Sequence, residues 1–381
     1  MFKKTCLLCF VTLFMVLLLG CAPQTSPVVE SSELEPRSDS VVVSEPVPTP
    51  LPTRPVYSPG ELVDYIAQTG DTLPALAAHF NTTEREIRAS NPIIPQGVTT
   101  LPPGFPMKIP IYYQPLWGSP YQIIPDSLFV NGPAQRDFDP AAFVAAQPGW
   151  LKDYEFYAGG KNRRGGELVQ YVAEYYSISP RLLLALIEYQ AGGLSQPDLA
   201  EELQQYPLGF RDRAHEGLYR QLLWAANTLN NGYYGWRTGH LSLFELADGS
   251  LERADPWQNA ASVALHYYFG KIISGDDYQQ AIHANGLAKT YESLFGSIWE
   301  KSEPHIPGSL QQPPMQLPFS AGSMWAYTGG PHTGWGDGEP WAAIDFAPPA
   351  VAGGCKYTEQ LATAVAEGII VRKDTGVAVL D

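Results

Sequence analysis

The chain has 381 residues, with 24 Lys plus Arg against 39 Asp plus Glu, a net charge of −15 and 45% hydrophobic residues. That length suggests two or three folding units, and the apolar content is ample for their cores. The acidic balance argues against nucleic acid as a partner and against a polybasic hold on anionic lipid, since both need a basic face.

Residues 1–21 read MFKKTCLLCFVTLFMVLLLGC. Lys3 and Lys4 precede an apolar run at residues 7–19 that is too short to span a bilayer, which is the pattern of an export signal. Its end, Leu18-Leu19-Gly20-Cys21, resembles the bacterial lipobox. There small Gly20 lets the signal peptidase reach the bond and Cys21 supplies the thiol that is lipidated. The resemblance implies a signal peptide over 1–20 and an extracytoplasmic chain anchored to the cell envelope by lipid on Cys21. Cys6 and Cys9 would leave with the signal, so Cys355 stands alone and no internal disulfide is expected. Residues 21–60, as in SEPVPTPLPTRP, hold too few large apolar groups for a core and read as a disordered tether.

Residues 61–113 follow a strand, helix, helix, strand pattern. Residues 63–67 alternate and end at Gly70. Thr72 caps a helix whose apolar positions Leu73, Leu76, Ala77 and Phe80 recur at helical spacing. Thr83 with Glu86 three residues on is a capping box for a second helix, which stops at Asn91-Pro92. A Pro/Gly turn and a short strand follow. The stretches YIAQTGDTLPALAAHF, IRASNP and LPPGFPMKIP together resemble a LysM domain over its full length. That resemblance implies a βααβ module whose shallow groove binds N-acetylglucosamine chains of peptidoglycan or chitin. The matching groove positions are Gly70, Asp71, Thr72 and Leu73 in the first loop and Asn91 to about Ile94 in the second. Backbone groups there would pair with acetamido groups, and Leu73 and Ile94 would cover the methyl. For Asp71 and Thr72, helix capping is the other reading, and both can hold at once.

Residues 114–160 are rich in Pro and aromatics and read as a connector that packs on its neighbours. Residues 161–303 are helical. In SPRLLLALIEYQAGG, Ser179 is a cap, Pro180 takes the first helical position, and residues 182–187 are apolar all round, so this helix is central and buried. EGLYRQLLWAANTLNNGYYGW and NAASVALHYYFGKI give two more helices. The arrangement is similar to the lysozyme-like fold of lytic transglycosylases, whose buried helix ends in a catalytic Glu followed by Ser and Gly. Here Gln190 and Ala191 stand in those places. An amide cannot donate a proton as a carboxylic acid does, so this step loses its catalyst. Glu188 lies about 200° round the helix from Gln190. Tyr233, Tyr234 and Trp236 suit either sugar stacking or the edge of a core. His215-Glu216 begins like a zinc helix motif but lacks the second His.

From residue 315 to 381, short strand-like runs at 324–328, 342–346, 362–371 and 377–380 alternate with Gly and Pro. GGPHTGWGDGEPWAAIDFAPP resembles the start of a lysostaphin-like zinc endopeptidase. Gly330-Pro331-His332 and Ile344-Asp345-Phe346-Ala347-Pro348 carry the resemblance, which implies that His332 and Asp345 ligate zinc. Their spacing of thirteen requires the loop between them to return to one place. The family's third ligand comes from a later H-x-H motif, which this sequence does not contain, so the implied zinc site is incomplete. The fold class expected is multidomain α+β: a LysM module, an all-α lysozyme-like domain and part of an all-β peptidase domain. The function expected is binding of peptidoglycan glycan strands by an envelope lipoprotein related to wall hydrolases, inactive in this form. The alternatives are a zinc endopeptidase whose longer form completes the site, and a transglycosylase acting through Glu188.

Overall fold

The structure is a computed structural model that describes residues 55–112, 117–300, 305–306, 313–334, 336–349, 359–374 and 376–380. The signal, the lipidation position Cys21, most of the tether and Cys355 lie outside the described residues. The fold mixes helices with two-stranded antiparallel sheets. No helix among the described residues is long and apolar enough to cross a membrane.

The first unit runs β1 (Glu61–Ile66), α1 (Leu73–His79), α2 (Glu84–Ser90) and β2 (Pro106–Ile111). β1 and β2 pair antiparallel from Glu61 opposite Ile111 to Ile66 opposite Pro106. The caps act as their residue types dictate: Thr72 accepts from the Ala75 amide at 3.3 Å, and Thr83 from the Glu86 amide at 3.2 Å. Val63, Tyr65, Leu73, Leu76, Phe80, Ile87, Ile109 and Ile111 fill the space between sheet and helices.

The larger unit contains α3 (Asp126–Phe129), α4 (Pro140–Ala145), β3 (Glu155–Ala158), β4 (Lys161–Arg164), α5 (Gly165–Tyr176), α6 (Pro180–Ala191), α7 (Glu201–Gln205), α8 (Leu218–Thr238), β5 (Leu243–Glu245), β6 (Leu251–Arg253), α9 (Ala260–Gly270), α10 (Gly275–Ala281) and α11 (Lys289–Phe295). α6 is its axis. Ser179 caps it, Gly192 ends it in the left-handed region at φ +67°, and every side chain from Leu182 to Ile187 is fully buried. α8 and α9 pack closely because Gly232 carries no Cβ; one there would sit 2.7 Å from the Ala264 Cα.

Two expectations change here. The residues read as a connector contribute Ile123, Ile124, Leu128, Phe129, Val144, Leu151 and Ala158 to the same core as α6, α8 and α9. Their apolar groups are spread over short helices, too short to show a period. This unit is also not all-α. β3 and β4 form a hairpin closed by Gly159-Gly160 at φ +55° and +81°, the mirror-image turn that a Gly-Gly pair favours.

The C-terminal residues form two hairpins. β7 (Ala326–Thr333) pairs with β8 (Trp341–Ala347), and β9 (Ile370–Asp374) with β10 (Val377–Leu380). The strand expected over 362–371 begins only at Ile370, because LATAVAEG before it is rich in Ala and breaks at Gly, both poor strand formers.

The first unit docks on the end of α8. The His79 ring stacks on Trp236 with centroids 3.5 Å apart and planes 7° apart, and its Nε2 lies 2.9 Å from the Trp236 carbonyl oxygen. Trp257 donates from Nε1 to the Asp64 carbonyl at 3.1 Å and packs edge-on to Phe80. Tyr233 and Trp236 are therefore buried, as the core-edge reading held.

Burial pushes the His79 pKa down to about 4, so its ring is neutral at pH 7 and donates from Nε2. A histidine with a lowered folded pKa gives stability that is complete above its unfolded value of about 6.5 and is lost as pH falls toward 4. His79→Phe keeps the stack and removes the titration. At pH 7 it is expected to cost about 1 kcal/mol for the lost hydrogen bond. Between pH 7 and pH 5 its stability is expected to fall less than that of the wild type, as read by chemical denaturation.

Candidate functional site

The loop before α1 brings Gly70, Asp71, Thr72 and Leu73 beside residues 99–101. Leu73 donates its amide to the Thr99 carbonyl at 2.8 Å, and Leu101 donates to the Asp71 carbonyl at 3.1 Å. Gly70 adopts φ +83°, and a Cβ on it would overlap the Arg237 guanidinium. Asp71 Oδ2 accepts from the Tyr65 hydroxyl and the Gln68 amide, each at 2.7 Å. Gln68 in turn donates to the Trp257 carbonyl at 3.1 Å. This end of the groove expected from the sequence is thus held under the larger unit.

The other end is built by Asn91. Its Nδ2 donates to the Ile87 and Lys108 carbonyls at 2.7 and 2.6 Å, and its Oδ1 accepts from the Lys108 amide at 2.9 Å. Asn91 therefore ties α2 to β2, with its side chain fully used. Leu73 and Ile94 are sealed in the core at 0% and 6% exposure, so their side chains do not cover a ligand methyl. The exposed apolar group of this loop is Ile93, at 76%. The two lie in a turn closed by the Ile94 amide on the Asn91 carbonyl at 3.0 Å, which turns one in and leaves the other out.

His332 and Asp345 meet. Gly329 on β7 faces Asp345 on β8, and His332 faces Ala343. Register shifts along β7 turn the His332 ring so that Nε2 lies 2.9 Å from Asp345 Oδ2, while Nδ1 lies 2.7 Å from the Thr333 carbonyl oxygen. A neutral imidazole has one N–H, yet both ring nitrogens here face oxygen acceptors. The site therefore calls for positive charge on or beside the ring. The Thr333 carbonyl and then the Asp345 carboxylate raise the pKa of His332. An imidazole nitrogen beside a carboxylate oxygen is also a donor set that suits zinc. The pair fits two corners of such a site. Among the described residues no group of three or more His, Cys, Asp or Glu is placed to hold a metal.

The loop between the two strands is pinned to α8. Asn227 Oδ1 accepts from the Asp337 amide at 3.0 Å, and Asn231 Oδ1, one turn on, from the Glu339 amide at 2.6 Å. His240 Nδ1 lies 2.9 Å from Glu339 Oε1. Sequence reasoning missed these three residues; the only trace was a pair of Asn four apart on one helix face.

At the transglycosylase position, half-buried Gln190 stands where a carboxylic acid would be needed, and its buried Nε2 has no hydrogen-bond partner. Glu188 Oε2 accepts from the Leu194 and Ser195 amides at 2.8 and 3.1 Å, which makes it an anchor for the loop after α6. His215 Nδ1 faces Asp212 Oδ2 at 2.5 Å, and Glu216 accepts from Tyr206.

Residues 122–309 match the family described as LasA, N-terminal domain. The match takes in all but the first residues of the stretch first read as a connector and all of those likened to lytic transglycosylases. The chain is 29% identical over 233 residues to Protease LasA of one Pseudomonas aeruginosa strain, and 30% identical over 236 residues to Protease LasA of a second strain. Each similarity covers 58% of this chain and 51% of the relative, so the chain spans about half the length of the curated relatives it matches. No solved structure matches it.

Burial pushes the Asp71 carboxyl up to about 6, against the pull of its two donors. An acid with a raised folded pKa costs stability above that pKa, and the cost falls away as pH drops from 6 toward about 4. Asp71→Asn can present one oxygen to both donors without the charge. Its stability at pH 7 is expected to equal or exceed that of the wild type, with the acid-side gain between pH 6 and 4 abolished. Denaturation midpoints at pH 7, 6, 5 and 4 check this.

Proposed function

We propose that this chain is a peptidoglycan-binding protein of the cell envelope, lipid-anchored at Cys21 and related to wall-cleaving proteases. In this reading His332 and Asp345 are two ligands of a zinc site. The observation that carries it is the approach of His332 Nε2 to Asp345 Oδ2 across thirteen residues of sequence. Two acceptors around one imidazole leave a place for a cation, and the likeness to Protease LasA supports reading it as a peptidase metal site.

Zinc there would supply Lewis-acid chemistry toward a peptide bond. The residues' own part is positional. The Thr333 carbonyl fixes the imidazole at Nδ1 and so aims Nε2, as an outer partner does for a metal-ligating histidine. Gly329 leaves room for Asp345, since a Cβ on it would stand 3.0 Å from Oδ2. Glycan binding belongs to the first unit, at the exposed end of its second loop around Pro92 and Ile93. The opposite end is occupied by Arg237 and Gln68.

Calorimetric titration of the chain with zinc is expected to show one site, lost in His332→Ala and weakened at least about tenfold in Asp345→Asn. Sedimentation with purified sacculi is expected to carry down the wild type and His332→Ala alike, and less of Ile93→Ser. Absence of a zinc site that depends on His332 would overturn the metal reading. A chain that stays in the supernatant would overturn the glycan reading.

A further inference from the structure

A cleft of ≈ 730 Å³ opens between the β3–β4 hairpin, α5 and the β9–β10 hairpin. Its lining carries four cations, Lys161, Arg163, Arg372 and Lys373, on a chain whose net charge is −15. Among the described residues no ion pair engages any of the four. The two carboxylates of the cleft are turned to their own helix. Glu167 Oε2 accepts from the Arg164 amide at 2.8 Å, and Glu174 Oε1 from Gln170 Nε2 at 2.9 Å.

Arg163 is the most buried of the four. It is 9% exposed, its guanidinium carbon lies 4.2 Å over the Tyr171 ring, and its buried Nε has no hydrogen-bond partner. A buried guanidinium held only against a ring leaves strong donors unused, which costs free energy until an acceptor arrives. Gly159 makes that placement possible: a Cβ there would stand 2.8 Å from Tyr171 Cζ and 3.0 Å from Arg163 Nη2. Tyr171 and Tyr175 lie side by side with centroids 5.8 Å apart, and the Arg372 guanidinium stands 5.6 Å from the Tyr175 ring. Tyrosine faces suit the C–H faces of pyranose rings, and the surrounding cations suit carboxylates.

We propose that this cleft binds a carboxylate-bearing oligosaccharide, with sugar rings against Tyr171 and Tyr175 and carboxylates on Arg163, Arg372 and the two lysines. The site is separate from the first unit and from the His332–Asp345 pair, and it stands without the peptidoglycan reading.

The test uses the full chain in detergent and measures affinity at low salt for a galacturonate hexamer, a chitin hexamer, polyglutamate and a single-stranded oligonucleotide. The galacturonate hexamer is expected to bind at least about tenfold more tightly than neutral chitin, and to weaken steeply as salt rises. The rim variant Lys161→Ala/Arg372→Ala is expected to lose at least about fivefold with an unchanged circular dichroism spectrum. Arg163→Gln is expected to lose more. Equal binding of neutral chitin, or full affinity in the rim variant, would overturn the proposal. Polyglutamate or the oligonucleotide binding as well as the galacturonate would also overturn it, since the tyrosines would then be selecting nothing.

Discussion

The position of the first unit on the larger one depends on one ion pair, Asp126 with Arg237. Arg237 Nη1 donates to Asp126 Oδ2 at 3.2 Å and to the Tyr233 hydroxyl at 3.1 Å. Asp126 Oδ1 accepts from Asn259 Nδ2 and from the Ala261 amide, both at 2.8 Å. Three elements, α3, α8 and α9, thus converge on one carboxylate. Both partners are mostly buried, at 14% and 12% side-chain exposure, so the desolvation of two charges offsets much of their attraction. What the pair supplies is position. It sets the guanidinium over Gly70, and only a residue without a Cβ, tolerant of φ +83°, can lie beneath it. The first unit is thereby fixed at the end of α8. The same helix, about two and three turns back, presents Asn231 and Asn227 to the loop between His332 and Asp345. One helix therefore indexes the groove loop and the candidate metal pair.

Along that helix the seam with the first unit carries two groups that titrate in opposite senses. His79 loses its contribution as pH falls toward 4, while Asp71 is relieved of its penalty as pH falls below 6. Both shifts come first from burial, and burial favours the neutral form of each. The seam is therefore built to be uncharged between the two values, with a protonated acid and a neutral base. Beside it, Asp126 and Arg237 form an ion pair with each other. A docking surface made this way keeps its fit across mildly acidic pH, because the two titrations compensate where they overlap.

The sequence made the local elements legible where their causes are local. Thr72, Thr83 and Ser179 act as caps because a short side-chain oxygen before a helix has an amide to accept from. The run at residues 182–187 is buried all round because it has no polar face to offer water. The His332–Asp345 contact followed from residue type and likeness, though spacing alone argued against it. What stayed hidden is long-range. Nothing local in Gly70 says that an arginine 167 positions away lies on it. Leu73 and Ile94 read as covers for a ligand methyl because hydrophobicity does not tell which side a loop residue faces. The Gly159-Gly160 hairpin had only its Gly-Gly pair as a signal, since EFYA and KNRR beside it show no apolar alternation, and it was passed over because helices surround it.

An acidic chain can hold an anionic ligand only through local rather than net attraction. At physiological salt, charges farther apart than about 8 Å are largely screened. A ligand at the Arg163 cleft therefore feels the four nearby cations and little of the chain's −15. The same screening makes the distribution of charge matter more than its sum. The cleft's two acids are held by their own helix, so no ion pair among the described residues engages the cations, and a carboxylate arriving there meets donors already in place. Preorganised donors lose little side-chain freedom on binding, and Arg163 loses least, since Tyr171 and the bare backbone of Gly159 already fix its plane. The excess of Asp and Glu over the whole chain therefore does not prevent a carboxylate from being met by positive charge at this cleft.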